Sequence, residues 1–389
     1  MQKPDYLGGS IVNLMSSIIR ARGGRSEYPD LRELAADTLA GVTNLVLLII
    51  DGLGADWLAA RSPGGMLSRA QRATLTSVFP STTAAAIPTF LTGDAPLQHG
   101  LTGWHTYLGE LACVMTVLPG RPRFGGVPYR QAGIDPVKLF GNRPVFDRIA
   151  TRGILIAPDS IARSDFNLAH RGRGVLVAYQ GLRDMFRRTA RILRGRRRTR
   201  QEPKYLYLYW PRLDSIGHEQ GMGSPAAQAH LLEIEAALAT FMLEIAGTDT
   251  LLLVSADHGH LDTVSCDVID LADHPGLAGT LLLPLCGEPR AAFCYVRAGH
   301  GGEFTDYCRD VLADRVDVFP SRQLIEEGLF GSGRPHPRFT ERIGDYCMVP
   351  KDRCVIRQWL PFERPYQQVG VHGGLTRDEL LVPLCALRA

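Results

Sequence analysis

The sequence predicts an α/β fold: a mostly parallel central sheet sandwiched by helices, with a small α+β cap or insertion. Three observations carry this expectation. Apolar runs of strand length alternate with helical patterns along the chain. The clearest strand, residues 251–255, follows directly on a long helical pattern, as a crossover between parallel strands requires. Several apolar runs also stop abruptly at aspartate or histidine, which suits the carboxyl ends of such a sheet, where ligands gather.

Taken in order, residues 46–50 (Val-Leu-Leu-Ile-Ile) read as a strand closed by Asp51-Gly52. Residues 145–150 read as a helix leading into a second strand at 153–157. The run Tyr-Leu-Tyr-Leu-Tyr-Trp at 205–210 is a third strand. Ser224-Pro225 is a helix start, with a capping serine and proline at the first helical position. Leu231, Ile234, Leu238, Phe241 and Ile245 then recur at helical spacing and give one apolar face. Residues 289–348 look different: a short βαβ-like piece (291–296, 305–313, 316–319) runs into a Gly/Pro-rich stretch at 331–337. The expected division is therefore a core of residues 1–288 plus 349–389, and a cap or insertion at 289–348.

Composition narrows the setting. The chain has 389 residues and a formal charge of +3, which neither favours nor opposes an anionic partner. Apolar runs such as 45–50 are far too short to span a bilayer, so no membrane partner is expected. Residues 1–24 lack a basic head followed by an apolar stretch, so no secretory signal is expected. The eight cysteines are scattered without a CxxC pair, as in a reduced, cytoplasmic protein. Residues 182–200 hold nine arginines with a single aromatic, Phe186, among them. That reads as a solvated face rather than a nucleic-acid surface, and nucleic acid is not an expected partner.

Four strand ends carry polar residues out of keeping with their lead-ins: Asp51; Asp214 and His218; Asp257 and His258; and His372. Each alone is ordinary, since Asp-Gly commonly makes a turn and Asp-x-x-x-His is a common helix-surface pair. Together they offer three carboxylates and three imidazoles, enough for two divalent metals with three protein ligands each and positions left open for substrate. His260, although close to His258, reads by default as structural or solvent-exposed. Ser81, Thr82 and Thr83 place hydroxyls just before a small-residue stretch that can begin a helix. They serve either as an ordinary cap or as a nucleophile at the positive end of a helix dipole.

These residues resemble the alkaline phosphatase superfamily, and within it the type I phosphodiesterase/nucleotide pyrophosphatase family. The carriers are Ile50-Asp51-Gly52, Phe79-Pro80-Ser81-Thr82-Thr83, Leu91-Thr92-Gly93 with His99-Gly100, Asp214-Ser215-Ile216-Gly217-His218, Asp257-His258-Gly259 and His372-Gly373-Gly374. The resemblance implies an alkaline phosphatase-like core with two zinc ions, although Asp/His ligation also suits manganese or iron. It implies one zinc on Asp51, Asp257, His258 and Thr83, and the other on Asp214, His218 and His372. It also implies that Thr83 is the nucleophile, three residues after Pro80 and nine before Thr92.

The implied activity is hydrolysis of a small-molecule phosphate diester or nucleotide pyrophosphate through a phospho-threonine. A phosphomonoesterase or phosphonate hydrolase on the same core is the alternative, and a metal-dependent binding protein the non-enzymatic one. One position departs from the family. Trp104 stands where characterised nucleotide pyrophosphatases carry an asparagine that contacts a phosphate oxygen, leaving Thr102 or His105 as replacement donors or Trp104 as an apolar wall.

Overall fold

In the computed structural model, residues 2–195 and 202–389 are described. Their centre is a seven-stranded sheet in the order Gln71–Thr76, Leu381–Arg388, Thr250–Ser255, Asn44–Ile50, Lys204–Trp210, Arg152–Pro158, Val175–Tyr179. Asn44–Ile50 lies in the middle, parallel to both neighbours. All seven of its residues are buried, which explains a sequence run with no polar alternation after Asn44. Leu381–Arg388 alone runs against its neighbours, pairing antiparallel on both sides. The mostly parallel sheet expected from the sequence is thus observed.

Helices cover the faces because their apolar stripes match the sheet. Pro225–Glu244 begins where Ser224 Oγ accepts the Ala227 N–H at 3.2 Å. It buries Leu231, Ile234, Leu238 and Phe241, with the Phe241 ring stacked on Phe186 at 4.8 Å. Phe186 belongs to Leu182–Arg194, the described part of the arginine-rich segment. That helix buries Leu182, Met185, Phe186, Ala190 and Leu193, while Arg187 and Arg188 both pair with Asp184. Residues 196–200 of that segment lie outside the described residues.

A second, antiparallel seven-stranded sheet packs beside the first, in the order Val316–Pro320, Tyr346–Pro350, Ala291–Cys294, Cys286–Glu288, His105–Leu108, Cys113–Thr116, Arg121–Pro122. The expected βαβ-like piece is there in split form. Ala291–Cys294 and Val316–Pro320 both pair antiparallel with Tyr346–Pro350, which lies between them. The helix Gly301–Val311 connects the two outer strands. The sheet also draws on residues 105–122, joined through the pairing of Gly287 with His105. This pairing brings Glu288 and Trp104 to the wall of the central cleft. All eight cysteines are free thiols. Among the described residues no helix is long and apolar enough to cross a membrane.

Candidate metal centre

Three neighbouring parallel strands aim their carboxyl ends at one place. Asp51 directly follows Asn44–Ile50, Asp257 lies two residues beyond Thr250–Ser255, and Asp214 sits in the helix Arg212–Gln220 that follows Lys204–Trp210. The register puts Ile50 beside Trp210, and the Asp51 N–H bonds the Trp210 carbonyl at 2.9 Å. Convergence of residues far apart in sequence therefore follows from strand adjacency. His218 falls one helical turn after Asp214. His372 enters from a short ribbon, Gly370–Val371 paired with Leu261–Asp262. Gly370 lets that ribbon approach, since a Cβ there would stand 2.6 Å from the Gly217 carbonyl. Gly52 has φ +77°, and a Cβ on it would meet His260 Nε2 at 2.7 Å.

The first cluster is fully buried. His258 Nε2 lies 3.4 Å from Asp51 Oδ1 and 3.6 Å from Asp257 Oδ2. The Thr83 hydroxyl is 3.0 Å from the same nitrogen. Thr83 is the first residue of the helix Thr83–Thr92, so its hydroxyl sits at the positive end of the helix dipole. His258 Nδ1–H donates to the Gly259 carbonyl at 2.9 Å, which leaves Nε2 with its lone pair. Asp257 Oδ1 accepts from the N–H groups of Gly52 and His258. Asp51 Oδ2 accepts from the Tyr209 hydroxyl. The remaining oxygens, Asp51 Oδ1 and Asp257 Oδ2, are buried without a hydrogen-bond partner.

The second cluster centres on Asp214. Its Oδ1 lies 2.9 Å from His260 Nε2, 3.3 Å from His218 Nε2 and 3.8 Å from His372 Nε2. His218 Nδ1–H donates to the Gly370 carbonyl at 2.7 Å, again leaving Nε2 free for a ligand. The His372 ring stacks on His258 with centroids 3.7 Å apart, so the two clusters touch.

Electrostatics make the group costly as it stands. Among the described residues no lysine or arginine pairs with Asp51, Asp214 or Asp257. Burial pushes the Asp51 carboxyl well above its ordinary range, and the charges of Asp214 and Asp257 add to the effect. Burial would raise Asp214 too, yet His218 and the hydrogen bond from His260 hold it below the usual carboxylate range. Burial, reinforced by His258 and His218, holds His372 well below an ordinary histidine and therefore neutral. A neutral His372, orphaned carboxylate oxygens and no lysine or arginine partner are what a divalent metal site needs. Three groups have ligand atoms close enough to hold an ion: Asp51, Asp257 and His258; Asp214, His218 and His260; Asp214, His258 and His372. The donor set thus fits metals.

All seven residues singled out from the sequence come together here. Three further residues had not been singled out. His260 is buried against Asp214, and its signal was in plain view, two residues beyond His258. Tyr209 reaches Asp51 from within a run that reads simply as strand. Glu288 follows an apolar run, residues 281–286, that Pro284 interrupts. It is buried, and its Oε1 accepts from the Thr82 hydroxyl at 2.7 Å and the Trp104 N–H at 2.6 Å. Burial raises its carboxyl to about 7, against those two hydrogen bonds, which lower it.

A cavity of about 650 Å³ opens over the cluster. Thr83, Asp214, His218 and His372 line its floor, while Trp104, His105, Phe124 and Tyr366 line its walls. Trp104 is 38% exposed and forms a wall rather than core packing. Thr102 is buried and donates its hydroxyl to the Arg342 carbonyl, whereas His105 does reach the cavity. His99 lies in the core, bonded to Thr89 and Leu101.

The sequence model of the type I phosphodiesterase / nucleotide pyrophosphatase family matches residues 45–375, most of the chain. No curated protein matches the sequence. Human ectonucleotide pyrophosphatase / phosphodiesterase 5 has a similar structure, with TM-score 0.64 and 15% identity over 88% of this chain and 87% of that one. The murine protein, solved as an inactive variant in complex with AMP, gives 0.63 at 16% identity with the same coverage. Phosphonoacetate hydrolase from Sinorhizobium meliloti, in complex with phosphonoformate, gives 0.62 at 18% identity over 88% and 89%. At these identities the likeness is one of fold.

Proposed function

Because the chain belongs to the type I phosphodiesterase/nucleotide pyrophosphatase family of phosphoester hydrolases, we propose that it is a two-zinc hydrolase of phosphate diesters or nucleotide pyrophosphates, with Thr83 as nucleophile. The observation that carries this reading is the Thr83 hydroxyl, 3.0 Å from His258 Nε2 and beside the unpartnered oxygens of Asp51 and Asp257. One zinc would be held by Asp51, Asp257, His258 and Thr83, and the other by Asp214, His218 and His372. When bound, the metals supply positive charge that favours the threonine alkoxide and neutralises the phosphoryl oxygens.

The chain's own residues do the rest. Thr83 Oγ1 gives up its proton to solvent and bonds phosphorus as the bond to the leaving oxygen breaks, and that oxygen takes a proton from water. A water oxygen then bonds phosphorus as the bond to Thr83 Oγ1 breaks, which regenerates the hydroxyl. His258 and His218 hold their orientation through the Gly259 and Gly370 carbonyls. Burial of Asp51, Asp257 and His258 keeps bulk water from their side of the reaction. Eight free thiols favour a cytoplasmic setting.

Trp104, standing in place of the family's asparagine, favours one second reading: a phosphomonoester or phosphonate substrate on the same residues. Rapid mixing with bis-p-nitrophenyl phosphate, followed by intact-mass measurement, tests the first. The expected result is a transient nitrophenyl-phosphate adduct on Thr83. Turnover with no adduct, undiminished in Thr83→Ala, would remove Thr83 from the role.

A further inference from the structure

Among the described residues, Glu288 is the one acidic side chain in the cavity wall outside the proposed ligand set that hydrogen-bonds a neighbour of the nucleophile. Its Oε1 is fixed by two donors: the hydroxyl of Thr82, the residue before Thr83, and the N–H of Trp104. Among the described residues no hydrogen bond reaches its Oε2. Glu288 shares the cavity with Thr83, Asp214, His218 and His372. Among the described residues no lysine or arginine pairs with it: Arg290 is spent on Glu379 and Arg123 on Glu363, and Arg121, Arg357 and Arg364 line the cavity without an ion pair to Glu288. The side of the cavity next to Thr82 therefore presents a carboxyl where a phosphate site commonly presents a cation.

We propose that Glu288 is a specificity-determining residue, which selects monoanionic phosphoryl groups, as in diesters, and rejects dianionic ones, as in monoesters. This rests on the hydrolase reading above and deepens it by naming the charge of the substrate's phosphoryl group. A diester brings one negative charge beside Glu288 and a monoester two. Rejection by an unpaired negative neighbour is how specificity is built against a competitor that the metals alone would accept. At a separation of several ångströms and an effective dielectric near 20, the extra charge weakens monoester turnover by about tenfold or more.

The test compares, at alkaline pH where Glu288 is ionised, kcat/KM for p-nitrophenyl phosphate and for bis-p-nitrophenyl phosphate in the metal-loaded protein and in Glu288→Gln. Glutamine keeps an oxygen for Thr82 and Trp104 and removes the charge. The monoester-to-diester ratio is expected to rise by about tenfold, because monoester turnover gains more than diester turnover does, with metal content nearly unchanged. If the unaltered protein hydrolyses neither ester, the hydrolase reading fails. If it hydrolyses the diester and the ratio stays within about twofold in a folded variant, the role of Glu288 alone fails.

A second measurement needs no variant. At alkaline pH the unaltered protein is expected to be inhibited more strongly by methyl phenylphosphonate, a monoanion, than by phenylphosphonate, a dianion. Stronger inhibition by the dianion would overturn the proposal.

Discussion

The hydroxyl of Thr83 and Nε2 of His258 lie 3.0 Å apart, and His258 turns that nitrogen toward the hydroxyl because its Nδ1–H is bound to the Gly259 carbonyl. Two potential ligand atoms thus face one point, beside the free oxygens of Asp51 and Asp257. Thr83→Ala is expected to lower diester turnover by about a thousandfold or more while the protein keeps most of its metal. Thr83→Ser, which restores a hydroxyl, should recover a measurable part. Equal loss in both variants would mean that the methyl group, not the oxygen, matters.

His260 lies 2.9 Å from Asp214 Oδ1 and is buried. It is placed to orient the carboxylate that His218 also approaches. Replacing it by alanine is expected to weaken metal affinity by about 10- to 100-fold, the usual effect of losing a group that positions a ligand. Titration against a competing chelator reads this directly, without reference to turnover. Unchanged affinity would assign His260 to packing.

Arg290 and Glu379 form a bidentate pair in which both side chains are buried. Glu379 also accepts from the Gly374 N–H at 2.8 Å, two residues beyond His372. The pair therefore ties the second sheet to the loop that carries His372. Glu379→Ala should destabilise the protein by about 3–5 kcal/mol, because it leaves a buried guanidinium without its partner. Denaturant unfolding measures the loss, and metal content should fall with it.

Asp184 accepts the Gln180 N–H and bonds Arg188 and Arg187, which together hold its carboxyl at about 2. A depressed carboxylate adds stability above its unfolded pKa, near 3.9, and loses it as pH falls through the folded value. Asp184→Asn should therefore lower Tm near neutral pH, and the gap to the unaltered protein should begin to close below about pH 4. Thermal unfolding of both proteins across acidic buffers checks the sign; a gap that widens with acid would contradict it.

The parts of the fold legible in the sequence were those with continuous apolar runs. Asn44–Ile50, Lys204–Trp210 and Thr250–Ser255 are buried nearly throughout, so burial writes them plainly. Gln71–Thr76, at the sheet edge, is half exposed and carries no such run. His105–Leu108 and Cys113–Thr116 are only four residues each, and the long-range pairing that incorporates them leaves no local trace.

The site divides in the same way. Asp51, Asp214 and Asp257 announced themselves by interrupting or following apolar strands. Glu288 follows the apolar run 281–286, which Pro284 breaks and Gly287 ends, and it reaches the cleft only because Gly287 pairs with His105. Tyr209 alternates inside a tyrosine-rich strand, where a hydroxyl aimed at Asp51 looks like its neighbours.

The central claim is metal-dependent hydrolysis at the cluster around Thr83, with a preference for diesters. Its most direct test is hydrolysis of bis-p-nitrophenyl phosphate against p-nitrophenyl phosphate by protein of known metal content, before and after chelation and after zinc is restored. A diester preference that disappears with the metal and returns with it is the predicted result. Diester hydrolysis that survives complete chelation, or a strong preference for the monoester, would contradict it.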